Sequence, residues 1–149
     1  MNIYFICTGN TCRSPMAEAI LKSKNLKNVE VRSAGIFAHE GSAMSENAQT
    51  VLNQNNINHH HVSTLFNEND AQWADLILTM TAAHKEMVIR LVDNVQHKTF
   101  TLKEYATTET FRDIQDPFGG NVLVYEQTFK ELENVITELE KKLRTEEEN

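Results

Sequence analysis

A cysteine and an arginine separated by five residues stand near the start of this chain, in Cys7-Thr8-Gly9-Asn10-Thr11-Cys12-Arg13-Ser14. A loop of that length can curl until its backbone N–H groups point inward. With a helix N-terminus behind them, they cradle an anion. Arg13 suits the oxygens of a phosphoryl group, because its planar fork holds two at once. Gly9 is expected to supply a positive φ. Asn10 tolerates the same conformation, and its amide is expected to brace the curl. Cys7 would lie at the bottom. The donors and helix dipole that favour a bound dianion should also depress its pKa below a free cysteine's ~8.5. Ser14 can donate to the same sulfur and help it leave. A thiolate beneath a cradled phosphorus is placed for in-line attack and a phosphocysteine intermediate.

Such an attack expels a poor leaving group, which must gain a proton as it departs. Asp116 can supply it and then take a proton from water in the second step. Pro117 holds Asp116 toward an extended conformation and helps aim it. Read alone, Asp116-Pro117-Phe118-Gly119-Gly120 is equally a turn before a helix.

These residues need elements to position them. Asn2 to Cys7 is a continuous apolar run and reads as a buried strand ending at the loop. Ser14 and Pro15 read as the cap and first residue of a helix with Glu18 in its first turn. Its stripe is Ala17, Ile20 and Leu21. Further strands are expected at Val29–Ser33, Asp75–Met80 and Lys98–Leu102. A helix is expected at Ser45–Asn53, with Ala48, Val51 and Leu52 on one face. Another is expected at Ala82–Val92, with Met87, Val88 and Leu91 as its apolar side. Tyr125, Phe129, Leu132, Val135, Ile136 and Leu139 give Asn121–Leu143 a helical spacing. Residues 145–149 are expected to fray. Alternating strands and helices imply an α/β domain with a parallel sheet and right-handed crossovers. Ligands then bind beyond the strands' carboxyl ends, where the Cys7 loop lies.

Length and charge narrow the partners. A chain of 149 residues fits one domain over 1–149. A domain that size buries roughly 70% of its unfolded surface and needs no metal or disulfide to hold a core. With 14 basic against 21 acidic residues, a nucleic-acid partner is not expected. No export leader and no apolar run of about 18 residues is visible, so a cytoplasmic protein without membrane contact is expected. In that reducing setting the two cysteines read as catalytic or redox-active.

The stretch from Cys7 to Glu18 resembles the phosphate loop of the low-molecular-weight protein tyrosine phosphatase family. Asp116-Pro117 looks like that family's general-acid motif. Ser33-Ala34-Gly35 and Asp75-Leu76-Ile77-Leu78-Thr79-Met80 resemble family segments in the right order. The resemblance implies a single three-layer domain, a four-stranded parallel sheet with helices on both faces. It also implies Cys7 as nucleophile, Arg13 as phosphate ligand, Asp116 as acid and a protective, reversible Cys7–Cys12 disulfide, which makes Cys12 a redox residue. Tyrosine-directed members usually carry a bulky aliphatic residue before the second cysteine, and many carry paired aromatics after Asp-Pro. Thr11 and Phe118-Gly119-Gly120 depart from both and resemble the bacterial protein-arginine phosphatases. A hydroxyl in the wall suits a planar polar guanidinium better than a flat apolar ring. The resemblance then implies phosphorylated proteins as partners and an action that opposes a protein-arginine kinase in bacterial stress signalling; a monomer is expected.

Three rival readings share features of this chain. A phosphotyrosine phosphatase uses the same residues. A non-catalytic phosphate carrier would need neither Arg13 nor Asp116. An arsenate reductase of this fold needs later cysteines, and none follows Cys12. No cofactor and no metal is expected. The cysteines lack zinc spacing, and His59-His60-His61 reads as a solvated loop, because consecutive side chains alternate faces. Trp73, Phe111 and Tyr125 are expected in the core or partly exposed. Lys130, Lys141, Lys142 and Arg144 read as a solvated helix face.

Overall fold

The computed structural model describes residues 1–148. Strands β1 (Asn2–Cys7), β2 (Glu30–Gly35), β3 (Leu76–Thr79) and β4 (Thr99–Thr101) form one sheet in the order β2-β1-β3-β4. All three pairings are parallel. The chain steps from β1 to β2 on one side and returns to β3 on the other. The strand order therefore reverses at β1, and the crevice beyond its carboxyl end is the natural ligand position.

β1 is buried on both faces, which is why its sequence is an unbroken apolar run. Ile3, Phe5 and Cys7 join one core, and Tyr4 and Ile6 the other. The first core is covered by α1 (Arg13–Ser23), α2 (Glu46–Gln54), α5 (Leu102–Ala106) and α6 (Val122–Glu148). α3 (Glu68–Trp73) and α4 (Ala82–Leu91) cover the second. The six α6 positions expected to face inward are all buried, each contributing about 2 kcal/mol of apolar burial. Lys130, Lys141, Lys142 and Arg144 are exposed, as expected. No described helix is long and apolar enough to cross a membrane.

Several expectations need correction. α1 begins at Arg13, with Cys12 in the cap position and no side-chain cap. Ser14 is thus inside the helix, its hydroxyl committed to the loop. Pro15 still falls in the first turn, where no intrahelical N–H bond is lost. On α4 the inward side is His84, Val88 and Val92, one turn apart, and Leu91 points to solvent. The helices α3 and α5 were not expected; both are too short for periodicity to register. α5 does carry a capping box, Thr101 with Glu104, which makes Leu102 helical rather than the end of β4. Residues 145–148, expected to fray, continue α6; Asn149 lies outside the described residues. Phe111 is exposed, Trp73 lies partly buried beneath Arg32, and Tyr125 is buried.

Candidate active site

Residues 7–13 curl around a pocket whose remaining walls are Asp116 and Phe118. Cys7 leaves β1 at its floor, only 3% exposed. Its Sγ accepts from the Asn10 N–H at 3.3 Å and lies 2.7 Å from Ser14 Oγ. The Ser14 oxygen accepts from Asn10 Nδ2 at 2.8 Å. Its own proton is therefore free for the sulfur, giving a relay from Asn10 through Ser14 to Cys7.

Asn10 is the brace, and it alone supplies the positive φ of the loop, at 56°; Gly9 does not. Asparagine manages this where most residues would strain. Its side chain is fully buried and fully used. Nδ2 also donates to Ser33 Oγ at 2.9 Å, and Oδ1 accepts from the Thr64 N–H at 2.9 Å. His61 Nε2 reaches Asn10 O and Oδ1, each at 3.1 Å, and Ser63 Oγ donates to the same carbonyl. Thr8 is tied by its hydroxyl to His84 Nε2 at 2.8 Å, and Thr11 by its carbonyl to the Ser45 N–H at 2.9 Å. Burial draws the His84 pKa down to about 4, with the Arg13 charge adding to the effect, so His84 is neutral at pH 7. Gly35 closes the loop's back. A Cβ there would meet Thr8 O at 2.5 Å and Asn10 N at 2.8 Å.

Burial pushes the Cys7 thiol above its ordinary pKa, against the Ser14 hydroxyl, the Ser14 and Asn10 N–H groups and the Arg13 charge, which all pull it down. This corrects the expected depression. The donors are where the sequence placed them, but the sulfur is too dry for them to prevail. Cys12 is also a free thiol and lies 3.2 Å from the Tyr125 hydroxyl.

Arg13 crosses the pocket beneath the acid loop. Nη1 donates to Ile114 O at 2.9 Å, and Nη2 lies 3.5 Å from Asp116 Oδ2. Asp116 Oδ1 accepts from the Phe118 N–H, which turns the carboxylate toward the mouth, where its side chain is 55% exposed. The loop is pinned by Ala82 N–H to Asp113 and Ile114 N–H to Met80 O, with Glu131 holding the Gln115 N–H while paired to Lys103. Residues 7–13 and Asp116, picked from the sequence, thus line one pocket, and Ser14 lies behind it against the Cys7 sulfur. The bracing residues Ser33, His61, Ser63, Thr64 and His84 were missed as such.

The triple histidine is solvated at His60 alone. His59 and His61 stack side by side, ring centres 5.8 Å apart, against the buried Glu18. Glu18 Oε1 accepts from Ser33 Oγ, and Oε2 pairs with Lys22 at 2.7 Å. Burial would raise the Glu18 pKa, but its neighbours His61, Lys22 and Ser33, with the Lys22 charge, bring it down to about 2.

A loop curled over a buried cysteine sulfur, at the strand-order reversal of a parallel sheet, is the arrangement expected of a cysteine-dependent phosphatase. The chain belongs to the low molecular weight phosphotyrosine protein phosphatase family, whose model matches residues 2–149. It is 47% identical to a protein-arginine-phosphatase of Geobacillus stearothermophilus over 97% of each chain. The solved YwlE arginine phosphatase from that organism superposes with a TM-score of 0.94, covering 97% of this chain and 94% of its own. A structure of a YwlE C7S mutant with phosphorylated active site serine is 44% identical, with a TM-score of 0.92, covering 97% of this chain and 96% of its own. A low molecular weight protein-tyrosine-phosphatase of Staphylococcus epidermidis is 39% identical, over 93% of this chain and 96% of its own.

Proposed function

We propose that this chain hydrolyses phosphoarginine on proteins through a phosphocysteine at Cys7. The observation that carries this reading is the pocket itself. Cys7 is at its floor, Arg13 and Asp116 meet at its mouth, and Thr11 stands in its wall. Two similar proteins named as arginine phosphatases, at 47% and 44% identity, support the substrate.

The cycle runs on the chain's own residues. The phosphoryl oxygens enter the loop, where Arg13 holds two in a bidentate fork. Thr8, Gly9, Asn10, Thr11, Cys12 and Ser14 form the cradle around them. The Cys7 thiol passes its proton to an oxygen of the entering phosphoryl dianion, the sulfur attacks phosphorus in line as the thiolate, and the P–N bond to the guanidinium breaks. Asp116, as the acid, delivers its proton to the departing nitrogen. Water then attacks the phosphocysteine and gives a proton to the Asp116 carboxylate. The P–S bond breaks, and Ser14 donates to the leaving sulfur. Inorganic phosphate departs after returning the proton to the Cys7 sulfur, and Asp116 is again the acid.

Cys12 is the proposed redox partner of Cys7, forming a reversible disulfide. The proposed setting is a reducing cytoplasm, with phosphorylated proteins as partners and the chain acting as a monomer. A second reading, phosphotyrosine, has one observation in its favour. Phe118 is 79% exposed and lines the pocket, offering an aromatic face at the rim.

The ratio of kcat/KM on phosphoarginine and phosphotyrosine peptides at one pH separates them, since it reports differential transition-state binding. A preference for phosphoarginine that Thr11→Ile erodes supports the proposal. A preference for phosphotyrosine returns the chain to the parent activity with its mechanism intact.

A further inference from the structure

Behind the phosphate loop, two imidazole nitrogens converge on one carboxylate oxygen. His61 Nδ1 lies 3.5 Å from Glu18 Oε1, and His59 Nε2 lies 4.0 Å from the same atom. The three donor atoms lie within 4.8 Å of one another. All three side chains are at least nine-tenths buried, with exposures of 9% for Glu18, 9% for His59 and 6% for His61. Yet His59 Nε2 has no hydrogen-bond partner. A buried polar nitrogen without a partner is costly and calls for an explanation.

The hydrogen-bond pattern decides which form of His61 is present. Its Nε2 faces Asn10 O and Oδ1. The first is a carbonyl, and the second already accepts from the Thr64 N–H while Nδ2 donates elsewhere. Both are acceptors, so Nε2 carries the hydrogen. The Nδ1 lone pair of a neutral ring then points at a carboxylate oxygen, and something positive belongs between them. A proton on His61 would satisfy that pair and still leave His59 stranded. A dication satisfies both rings and the carboxylate together.

We propose that Glu18, His59 and His61 bind a divalent transition-metal ion, zinc by ligand type, at a site separate from the phosphate pocket. Two imidazoles and one carboxylate are a recurrent zinc donor set. A tetrahedral ion about 2.1 Å from each donor needs donor spacings of roughly 3.4 Å. The Glu18–His61 spacing already matches, so the set has to contract rather than rearrange. Lys22 holds Oε2, and Oε1, which accepts from Ser33 Oγ, keeps a second lone pair for the ion. An open depression lined by Lys22, Ser33, His60 and Thr64 gives entry and room for a water in the fourth position.

The site also connects to catalysis. Coordination at Nδ1 fixes His61 as the Nε2–H form, the form that donates to Asn10, and Asn10 braces Cys7 and Ser14. Outer hydrogen bonds of this kind orient a metal ligand, and here they carry its orientation into the phosphate loop.

Zinc titration of the full, reduced chain against a chromophoric chelator tests the proposal. The expected result is one ion per chain, with affinity at least tenfold weaker in His59→Gln and unchanged in a Cys7→Ser/Cys12→Ser protein. His59→Gln touches neither the loop nor the substrate and should retain the basal phosphatase activity, which also reports its folding. Nitrogen-15 spectra of the unmodified chain should show zinc shifting His59 Nε2 and His61 Nδ1. Equal affinity in His59→Gln, binding lost only with the cysteines, or no binding by the unmodified chain would each overturn it.

Discussion

Arg13 and Asp116 meet across the mouth of the pocket, Nη2 to Oδ2 at 3.5 Å, so the group proposed to grip the phosphoryl oxygens also steadies the group proposed to protonate the leaving atom. Arg13 is buried while Asp116 is largely exposed. The contact therefore counts for position more than for stability, as exposed ion pairs contribute little.

Asp116→Asn should keep this neighbour and lose the proton. The expected fall in kcat is about 10²–10⁴-fold, smaller for substrates whose leaving group needs no proton. Steady-state rates across leaving groups of graded basicity check it; a uniform loss would argue against an acid role.

Ser14→Ala should act on the sulfur. The Ser14 hydroxyl pulls the Cys7 pKa down, so its removal raises the pKa further. The pH dependence of Cys7 alkylation should move to higher pH, and breakdown of the phosphocysteine should slow more than its formation. An unmoved alkylation profile would remove Ser14 from the relay.

Gly35→Ala places a methyl group 2.5 Å from Thr8 O. Either β2 or the phosphate loop must shift. A stability loss of ~1–3 kcal/mol is expected, with a larger fractional fall in kcat/KM than in fraction folded. Denaturant unfolding beside steady-state assays compares the two.

Glu18 carries a pH signature. Its pKa in the fold is about 2, against an ordinary 4.5. The carboxylate therefore stabilises the fold above pH 4.5, and that stability is lost as pH falls from 4.5 toward 2. The contribution is on the order of 3 kcal/mol at neutral pH. Melting curves with a chelator present should show Glu18→Gln less stable at pH 7, with the difference shrinking over that acid window.

The sequence made the local parts of the site legible and the distant ones not. Cys7, Asn10, Arg13 and Ser14 lie in one continuous stretch whose flanking strand and helix are plain from apolar pattern. Asn10 was singled out as a brace from its residue type alone. Its partners Ser33, His61, Ser63 and Thr64 come from remote segments, and nothing in their own neighbourhoods marks them. The histidine pair is hidden for the same reason. Alternation correctly separates His60 from its neighbours, but the buried Glu18 that draws His59 and His61 together stands on another element. Ser14 looked like a helix cap because Ser-Pro usually is one; here the hydroxyl has a stronger use. The direction of the Cys7 shift depends on how dry the sulfur is, a property of packing that no motif states.

Turnover by this mechanism requires covalent transfer to one sulfur. Acid quenching during turnover of a phosphoarginine peptide, followed by mass spectrometry, tests it most directly. The phosphoryl group should be found on the peptide that contains Cys7, at an occupancy that rises in Ser14→Ala. A chain that turns over substrate with Cys7 never phosphorylated, or a Cys7→Ser protein that keeps its turnover, would contradict the mechanism.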